Sequence, residues 1–157
     1  MGQSTDGILF YGYCWDEEGV ELWEGGEKNE DGDDEDAEER YARLSGVKPP
    51  AAPYPERNDG SMGAVVVRAE FNAYWDKKRE INKAAGVEVD HHCSDEYPIP
   101  YVAVSASKVM ARRGYPESIA GLTVGADWDA KLAAYCALMG ITPPQEKPGW
   151  WLVSMWR

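Results

Sequence analysis

Residues 8–15, with the sequence ILFYGYCW, decide the fold of this chain of 157 residues. The segment is rich in β-forming residues and lies between Gly7 and Asp16, with Gly12 as its one weak position for a strand. Apolar or aromatic side chains occupy both of its faces, whereas a strand with one solvated face would alternate apolar and polar residues. We therefore predict a first strand in the centre of a sheet.

Further elements follow outward from this strand. Residues 101–106 and 150–156 are predicted to form a second and a terminal strand. Helical spacing of apolar residues predicts a main helix over residues 69–85, and Asp127 can cap a last helix. Strands at both chain ends with two main helices between them predict an α+β fold, a single domain over residues 1–157. The sheet is expected to be mixed or antiparallel, with its first and last strands adjacent.

An insertion separates the first strand from the main helix. Residues 16–46 are predicted to be an acidic loop and a short helix, which Asp33 or Asp34 caps and Gly46 terminates. Residues 47–63 are rich in proline and glycine, and we expect an extended linker.

The charge of the chain is concentrated in residues 16–39. This stretch holds 14 acids and 1 base, a net charge of −13, whereas the whole chain has 28 acids and 16 bases, a net charge of −12. Such a surface repels phosphates, so direct binding to nucleic acid or to an anionic membrane is not expected, and a basic protein is the better partner. The acids are Asp16, Glu17, Glu18, Glu21, Glu24, Glu27, Glu30, Asp31, Asp33, Asp34, Glu35, Asp36, Glu38 and Glu39.

Two interpretations of the acidic stretch stay open. One is a solvated loop that keeps a Trp-rich protein in solution, and the other is an interaction surface. The interleaved Trp23 and the helix that follows favour a surface, because they would fix some of the charges in space. Duplex DNA carries about one charge per 1.7 Å of axis, so carboxylates spread over roughly 20 to 30 Å can imitate a row of phosphates. We predict DNA mimicry, with Trp23 and these acids as the partner-binding residues.

His91, His92 and Cys93 form the densest group of metal-capable side chains, in what we interpret as an irregular turn. Imidazole and thiolate bind zinc, and Cys14 or a carboxylate can complete the ligand set. The spacing is poor, however, because neighbouring residues of a strand point to opposite faces. No cofactor is therefore expected, and a small metal-dependent enzyme or a metal-stabilised module at this turn is the alternative function.

Three further hypotheses concern catalysis or base binding. Cys93 would be a nucleophile if an adjacent imidazole lowered its pKa, and the acids of residues 16–18 would hold Mg²⁺ at a strand end. The aromatic residues of the strands would stack on bases, but such platforms accompany basic tracks that this chain lacks, so we interpret them as core or interface. Arg112 and Arg113 are interpreted as a solvated turn.

The cellular compartment is indicated by what the sequence lacks. The three cysteines are widely spaced without a CxxC motif, which favours reduced thiols. The N-terminus has no signal-peptide pattern, and no apolar run reaches about 18 residues, so no membrane span is expected. These features predict a cytoplasmic protein, and they leave its oligomeric state open.

Five segments together resemble a group of small uncharacterised proteins that tailed bacteriophages encode, over nearly the full length of the chain. The group has no established activity, so the resemblance assigns no role to individual residues. It implies a phage protein in the cytoplasm of a bacterial host, where small acidic phage proteins often block enzymes or defence systems that handle DNA. The segments are GILFYGYCWDEE (7–18), EFNAYWDKKREI (70–81), HCSDEYPIPYVAV (92–104), RRGYPE (112–117) and PGWWLVSMW (148–156).

The charge and the resemblance combine into one functional prediction. We expect a non-enzymatic inhibitor that presents the acids of residues 16–39 to a host DNA-binding protein with a basic surface. DNA gyrase, RNA polymerase and restriction or CRISPR effectors are the candidate targets that the resemblance implies. A virion or assembly component is a third class that stays open.

Overall fold

The computed structural model describes residues 5–28, 33–56 and 59–156. The chain divides into two compact units. The first unit comprises Met1–Gly26 and Ala85–Arg157, and the second comprises Glu27–Ala84. In sequence, the second unit is thus inserted between the first strand and the rest of the sheet.

The first unit contains the sheet and one helix. The pairing of β2 with β5 is parallel and the other pairings are antiparallel, so the sheet is mixed. The first and last strands pair along residues 5–12 and 149–156, which confirms the predicted α+β fold and the predicted adjacency of these strands. The elements are β1 (Thr5–Cys14), β2 (Val87–Ser94), β3 (Pro98–Val104), β4 (Val109–Ala111), α3 (Trp128–Met139) and β5 (Gly149–Trp156).

β1 lies at the centre of the sheet, as predicted. It pairs with β5 along one edge and with β3 and β4 along the other. Because β5 also pairs with β2 and β2 with β3, the strands β1, β5, β2 and β3 close into a ring. All of residues 8–15 are buried, which explains why both faces of this segment are apolar or aromatic.

The core of the first unit is built around Phe10. Its ring stacks on that of Tyr101, with centroids 4.2 Å apart, and Ile8 and Met155 belong to the same buried cluster. Helix α3 lies against β2 and β3 and buries one apolar face. Gly140 ends this helix in the left-handed conformation, with a φ of 73°.

The start of α3 differs in detail from the prediction. Asp127 occupies the N-cap position but makes no capping hydrogen bond with its side chain. Its carboxylate instead pairs with Lys131 Nζ at 2.8 Å, one turn further along.

Two predictions for residues 87–106 are wrong in part. His91, His92 and Cys93 lie in strand β2 and not in an irregular turn, because β2 pairs with β3 from Val87 to Cys93. The strand predicted over residues 101–106 ends at Val104, where a short 3-10 turn (Ser105–Ser107) leads toward β4. In this turn Ser107 Oγ donates a hydrogen bond to the Val104 carbonyl oxygen at 2.6 Å.

The second unit contains the helices α1 (Ala37–Leu44) and α2 (Met62–Ala85). The N-cap of α1 is Asp36 rather than the predicted Asp33 or Asp34. Asp36 accepts a hydrogen bond from Glu39 N at 2.7 Å, and the Glu39 carboxylate accepts one from Asp36 N at 3.2 Å, a capping box. Asp34 is unavailable as a cap because it forms an isolated bridge with Lys28.

Helix α2 begins earlier than the predicted residue 69. Ser61 Oγ accepts a hydrogen bond from Ala64 N at 3.2 Å and so caps a start at Met62. The linker predicted over residues 47–63 therefore loses its last two residues to the helix, and its residues 57 and 58 lie outside the described part. None of the described helices is long and apolar enough to cross a membrane.

Candidate partner-binding surface

The loop after β1 carries the first group of acids. Residues 16–26 contain five acids and no base, a net charge of −5. Leu22 and Trp23 are half-buried, so the loop is not fully solvated. The five acids are all exposed: Asp16, Glu17, Glu18, Glu21 and Glu24.

The second group of acids belongs to the second unit, and part of it is already engaged. Asp34 pairs with Lys28 at 2.6 Å, and Asp36 and Glu39 form the capping box of α1. The exposed members are Glu27, Asp33, Asp34, Asp36 and Glu38, whereas Glu39 is half-buried. Two predicted partner-binding residues, Glu30 and Asp31, lie outside the described residues.

Glu35 is a structural residue. Its side chain is only 5% exposed, and its carboxylate accepts hydrogen bonds from Arg43 Nε at 2.9 Å and from Arg40 at 3.1 Å. The hydrogen bond from Arg43 holds the pKa of this carboxyl below its ordinary value although burial opposes the shift. Arg43 also reaches Glu27 at 3.3 Å, and Glu35 N donates to the Glu27 carbonyl oxygen at 3.0 Å. Glu35 therefore anchors α1 and does not belong to a contact surface.

The two histidines of β2 have separate partners. His91 Nε2 lies 3.1 Å from Asp95, and His92 Nε2 lies 3.5 Å from the Sγ atom of Cys14. Within the described ranges, no three His, Cys, Asp or Glu side chains gather in a group that could hold a metal ion. The strand geometry of β2 accounts for this, since it sends adjacent side chains to opposite faces.

Asp90, another of the metal-capable residues, is held in an ion-pair network. Its carboxylate lies 2.7 Å from Lys108 Nζ and accepts a hydrogen bond from the Tyr101 hydroxyl at 3.1 Å. Lys108 also pairs with Glu88 at 2.7 Å. Burial opposes ionisation of Asp90, but hydrogen bonds from Lys108 and from His91 N lower its pKa overall. This network links β2, β3 and the segment before β4.

Cys14, not Cys93, is the thiol that touches an imidazole. Burial, with Asp16 nearby, raises the pKa of Cys14 to about 11, and burial lowers the pKa of His92. Both shifts favour the neutral thiol and the neutral imidazole. This contact therefore lacks the thiolate that nucleophilic catalysis requires.

Thiol labelling is expected to distinguish the three cysteines by their rates of modification. In the folded protein at neutral pH, Ellman's reagent should modify the half-buried Cys93 first, because Cys14 and Cys136 are buried and their pKa values are raised to about 11. A Cys93→Ser variant should lose this fast phase, and all remaining thiols should react after unfolding. Fast modification of the Cys93→Ser variant while it is folded would contradict the expected burial.

The aromatic residues largely belong to the interior, as predicted. Tyr11, Tyr13 and Trp15 are buried, and Tyr11 packs against Trp150 with ring centroids 5.5 Å apart. The Tyr11 hydroxyl donates a hydrogen bond to Asp129 at 2.8 Å, and burial together with this contact raises the Tyr11 pKa to about 12. Trp156 does not belong to the core, because its side chain is 50% exposed.

Comparison of the chain with protein-family models, with curated proteins and with solved structures gives no match. The function is accordingly argued from the geometry and charge of the described residues.

Proposed function

We propose that this chain is a non-enzymatic binding protein that presents an acidic, DNA-like surface to the nucleic-acid-binding face of a basic partner. The observation that carries the proposal is the exposure of the acids. Of the twelve acids of residues 16–39 that the structure describes, ten are exposed, and only Glu35 is buried. A charge run that neutralised itself inside the fold would leave far fewer carboxylates in contact with solvent.

The loop of residues 16–26, in the first unit, is the stronger of the two acidic segments. Its five exposed acids have no base in the same segment, whereas the acids of the second unit are partly matched by Lys28, Arg40 and Arg43. The half-buried Trp23 places an aromatic side chain among the carboxylates. Carboxylates on such a loop can occupy the positions that DNA phosphates would take in the basic groove of a partner.

The resemblance to tailed-phage proteins supports a particular setting for such binding. In this proposal the partner is a DNA-handling protein of the bacterial host, such as DNA gyrase, RNA polymerase or a restriction or CRISPR effector. Blocking the DNA-binding face of one of these proteins would inhibit it by competition, without catalysis by the phage protein.

Capture from host lysate at low and high salt, followed by competition with duplex DNA, tests the proposal. The captured protein should bind DNA on its own, should be released by added duplex, and should bind less tightly as salt rises, because exposed charges are screened. Changing Asp16, Glu17, Glu18, Glu21 and Glu24 to Asn or Gln should weaken capture by about tenfold or more, since each exposed pair contributes roughly 0.2 to 1 kcal/mol.

A control variant tests whether binding depends on the acids of residues 16–39 in particular or only on the net charge of the chain. It carries the same change of five charges at exposed acids outside residues 16–39 and should bind the partner nearly as the natural chain does. Equal losses in both variants, or a captured partner that duplex DNA fails to displace, would contradict DNA mimicry. The control positions are Glu70, Glu80, Glu96, Glu117 and Glu146.

A further inference from the structure

The second unit contains a cavity of about 290 Å³ that has no place in the proposed function. Apolar and aromatic side chains, Val47, Pro49, Tyr74 and Trp75, line one part of it. The charged lining consists of three acids and three bases, so its walls carry no net charge although the neighbouring sequence is strongly acidic. Apolar walls with a few polar groups are typical of sites for small organic ligands.

Lys78 is the unusual charged residue of this cavity. Its side chain is only 17% exposed, and its one anionic neighbour in the described part of the chain is Glu39, at 3.5 Å. Glu39 is shared, because its carboxylate also accepts the hydrogen bond from Asp36 N in the capping box. An ammonium group has three donors, so Lys78 has hydrogen-bonding capacity that the protein leaves unused.

Of the other cations of the lining, Arg43 is fully engaged and Lys28 is largely exposed to solvent, with 63% of its side chain accessible. Arg43 directs Nε and one terminal nitrogen to Glu35 and the other to Glu27, and Lys28 pairs with Asp34. Lys78 is therefore the cation of this cavity that is best placed to receive an acceptor from a ligand.

Neighbouring aromatic rings pack against Trp75 and support this wall of the cavity. Trp75 packs against Phe71 and Tyr54, with ring centroids 5.6 Å apart in each case. A planar ring that entered the cavity would meet Trp75 and Tyr74, which lie about one turn before Lys78 on α2. Offset or edge-to-face packing of aromatic rings stabilises such a contact beyond the area that it buries.

We propose that this cavity binds a small aromatic carboxylate, whose ring packs on Tyr74 and Trp75 and whose carboxylate accepts hydrogen bonds from Lys78. The contact is charge-assisted, and such hydrogen bonds are stronger than those between neutral groups. It takes place at a lysine whose side chain is only 17% exposed. Binding of this ligand does not require the partner protein, and the acidic loop of residues 16–26 does not line the cavity.

Calorimetric titration of the full chain with 2-naphthoate tests this site, with the neutral amide 2-naphthamide and the cation 2-naphthylmethylammonium as matched probes. The carboxylate should bind at a single site, and the amide should bind about tenfold more weakly, the loss expected for one hydrogen bond to a charged group. Lys78→Met should cause a similar loss for the carboxylate. Lys83→Met, an exposed lysine of the same helix, should have no effect.

The comparison of the three probes on the natural chain tests the proposal by itself, even if Lys78→Met fails to fold. Equal affinity for carboxylate and amide, stronger binding of the cation, or no heat of binding with 2-naphthoate would each overturn it. With a folded Lys78→Met variant, which circular dichroism establishes, unchanged affinity for 2-naphthoate would overturn it as well.

Discussion

Replacing Gly12 by alanine is expected to destabilise the first unit by about 3 kcal/mol or more, the upper range for forcing an extra methyl group into a packed interior. Gly12 pairs with Ala103 of β3 on one side and with Gly149 of β5 on the other. An added Cβ would collide with the Val102 carbonyl oxygen and lie 2.8 Å from the Ala103 Cα atom. Both obstacles are backbone atoms, so a change of rotamer cannot relieve the clash.

Urea unfolding followed by circular dichroism measures this effect. The matched control is Gly149→Ala, at the position that pairs with Gly12, because an added Cβ there meets nothing within 4 Å. We expect the control to change the free energy of unfolding by no more than about 0.5 kcal/mol. Similar midpoints for Gly12→Ala and the natural chain would show that β1 and β3 do not approach as closely as the structure indicates.

Glu35→Gln is expected to destabilise the second unit by about 3 kcal/mol, because removing one member of a buried ion pair leaves the opposite charge without compensation. Arg40 is 10% exposed and loses its contact with Glu35, whereas the more exposed Arg43 keeps Glu27. The lower end of the usual range for buried pairs therefore applies. Loss of protection of the α1 amides in hydrogen exchange would measure the effect.

Glu38→Gln serves as the control for this change. Glu38 is exposed in the first turn of α1, and its substitution should alter stability by about 0.5 kcal/mol or less. If Glu35→Gln and Glu38→Gln leave the α1 amides equally protected, the buried network does not hold the helix in place.

The same network is expected to make the second unit sensitive to acid. The Glu35 pKa is lower in the folded protein than its ordinary value of 4.5. Its contribution to stability is therefore fully present above the ordinary value and is lost as the pH falls through the lower folded pKa. Denaturation measured from pH 6 downward should show a smaller acid loss in Glu35→Gln than in the natural chain, and parallel curves would exclude this contribution.

Local sequence patterns predicted the elements that short-range physics controls. The β-forming run of residues 8–15 predicted the central strand, because burial on both faces leaves a continuous apolar pattern. Gly46 and Gly140 marked the ends of their helices, because a left-handed residue that terminates a helix favours glycine. The concentration of acids in residues 16–39 likewise predicted an exposed charged surface.

Helix starts were less predictable, because several nearby residues could cap each helix. Asp33, Asp34 and Asp36 are all good N-cap residues, and the bridge between Lys28 and Asp34 leaves the role to Asp36. The start of α2 at Met62 depends on the cap that Ser61 provides. Because the preceding residues are rich in proline and glycine, the sequence predicted an extended linker at this position.

What the sequence by itself determined is the α+β class, the central first strand and the segregation of charge, since these follow from composition and periodicity along the chain. Only the tertiary structure decided which carboxylates are exposed. Glu35 has the same chemistry as its neighbours in the sequence, yet two arginines bury and bind it. It also decided that Gly12 is required for close strand packing and that Lys78 faces an aromatic cavity. Gly12 meets a strand that is distant in sequence, whereas the partners of Glu35 lie five and eight residues away and are brought to it by the start of α1. Charge and hydrophobic patterns do not predict such side-chain contacts.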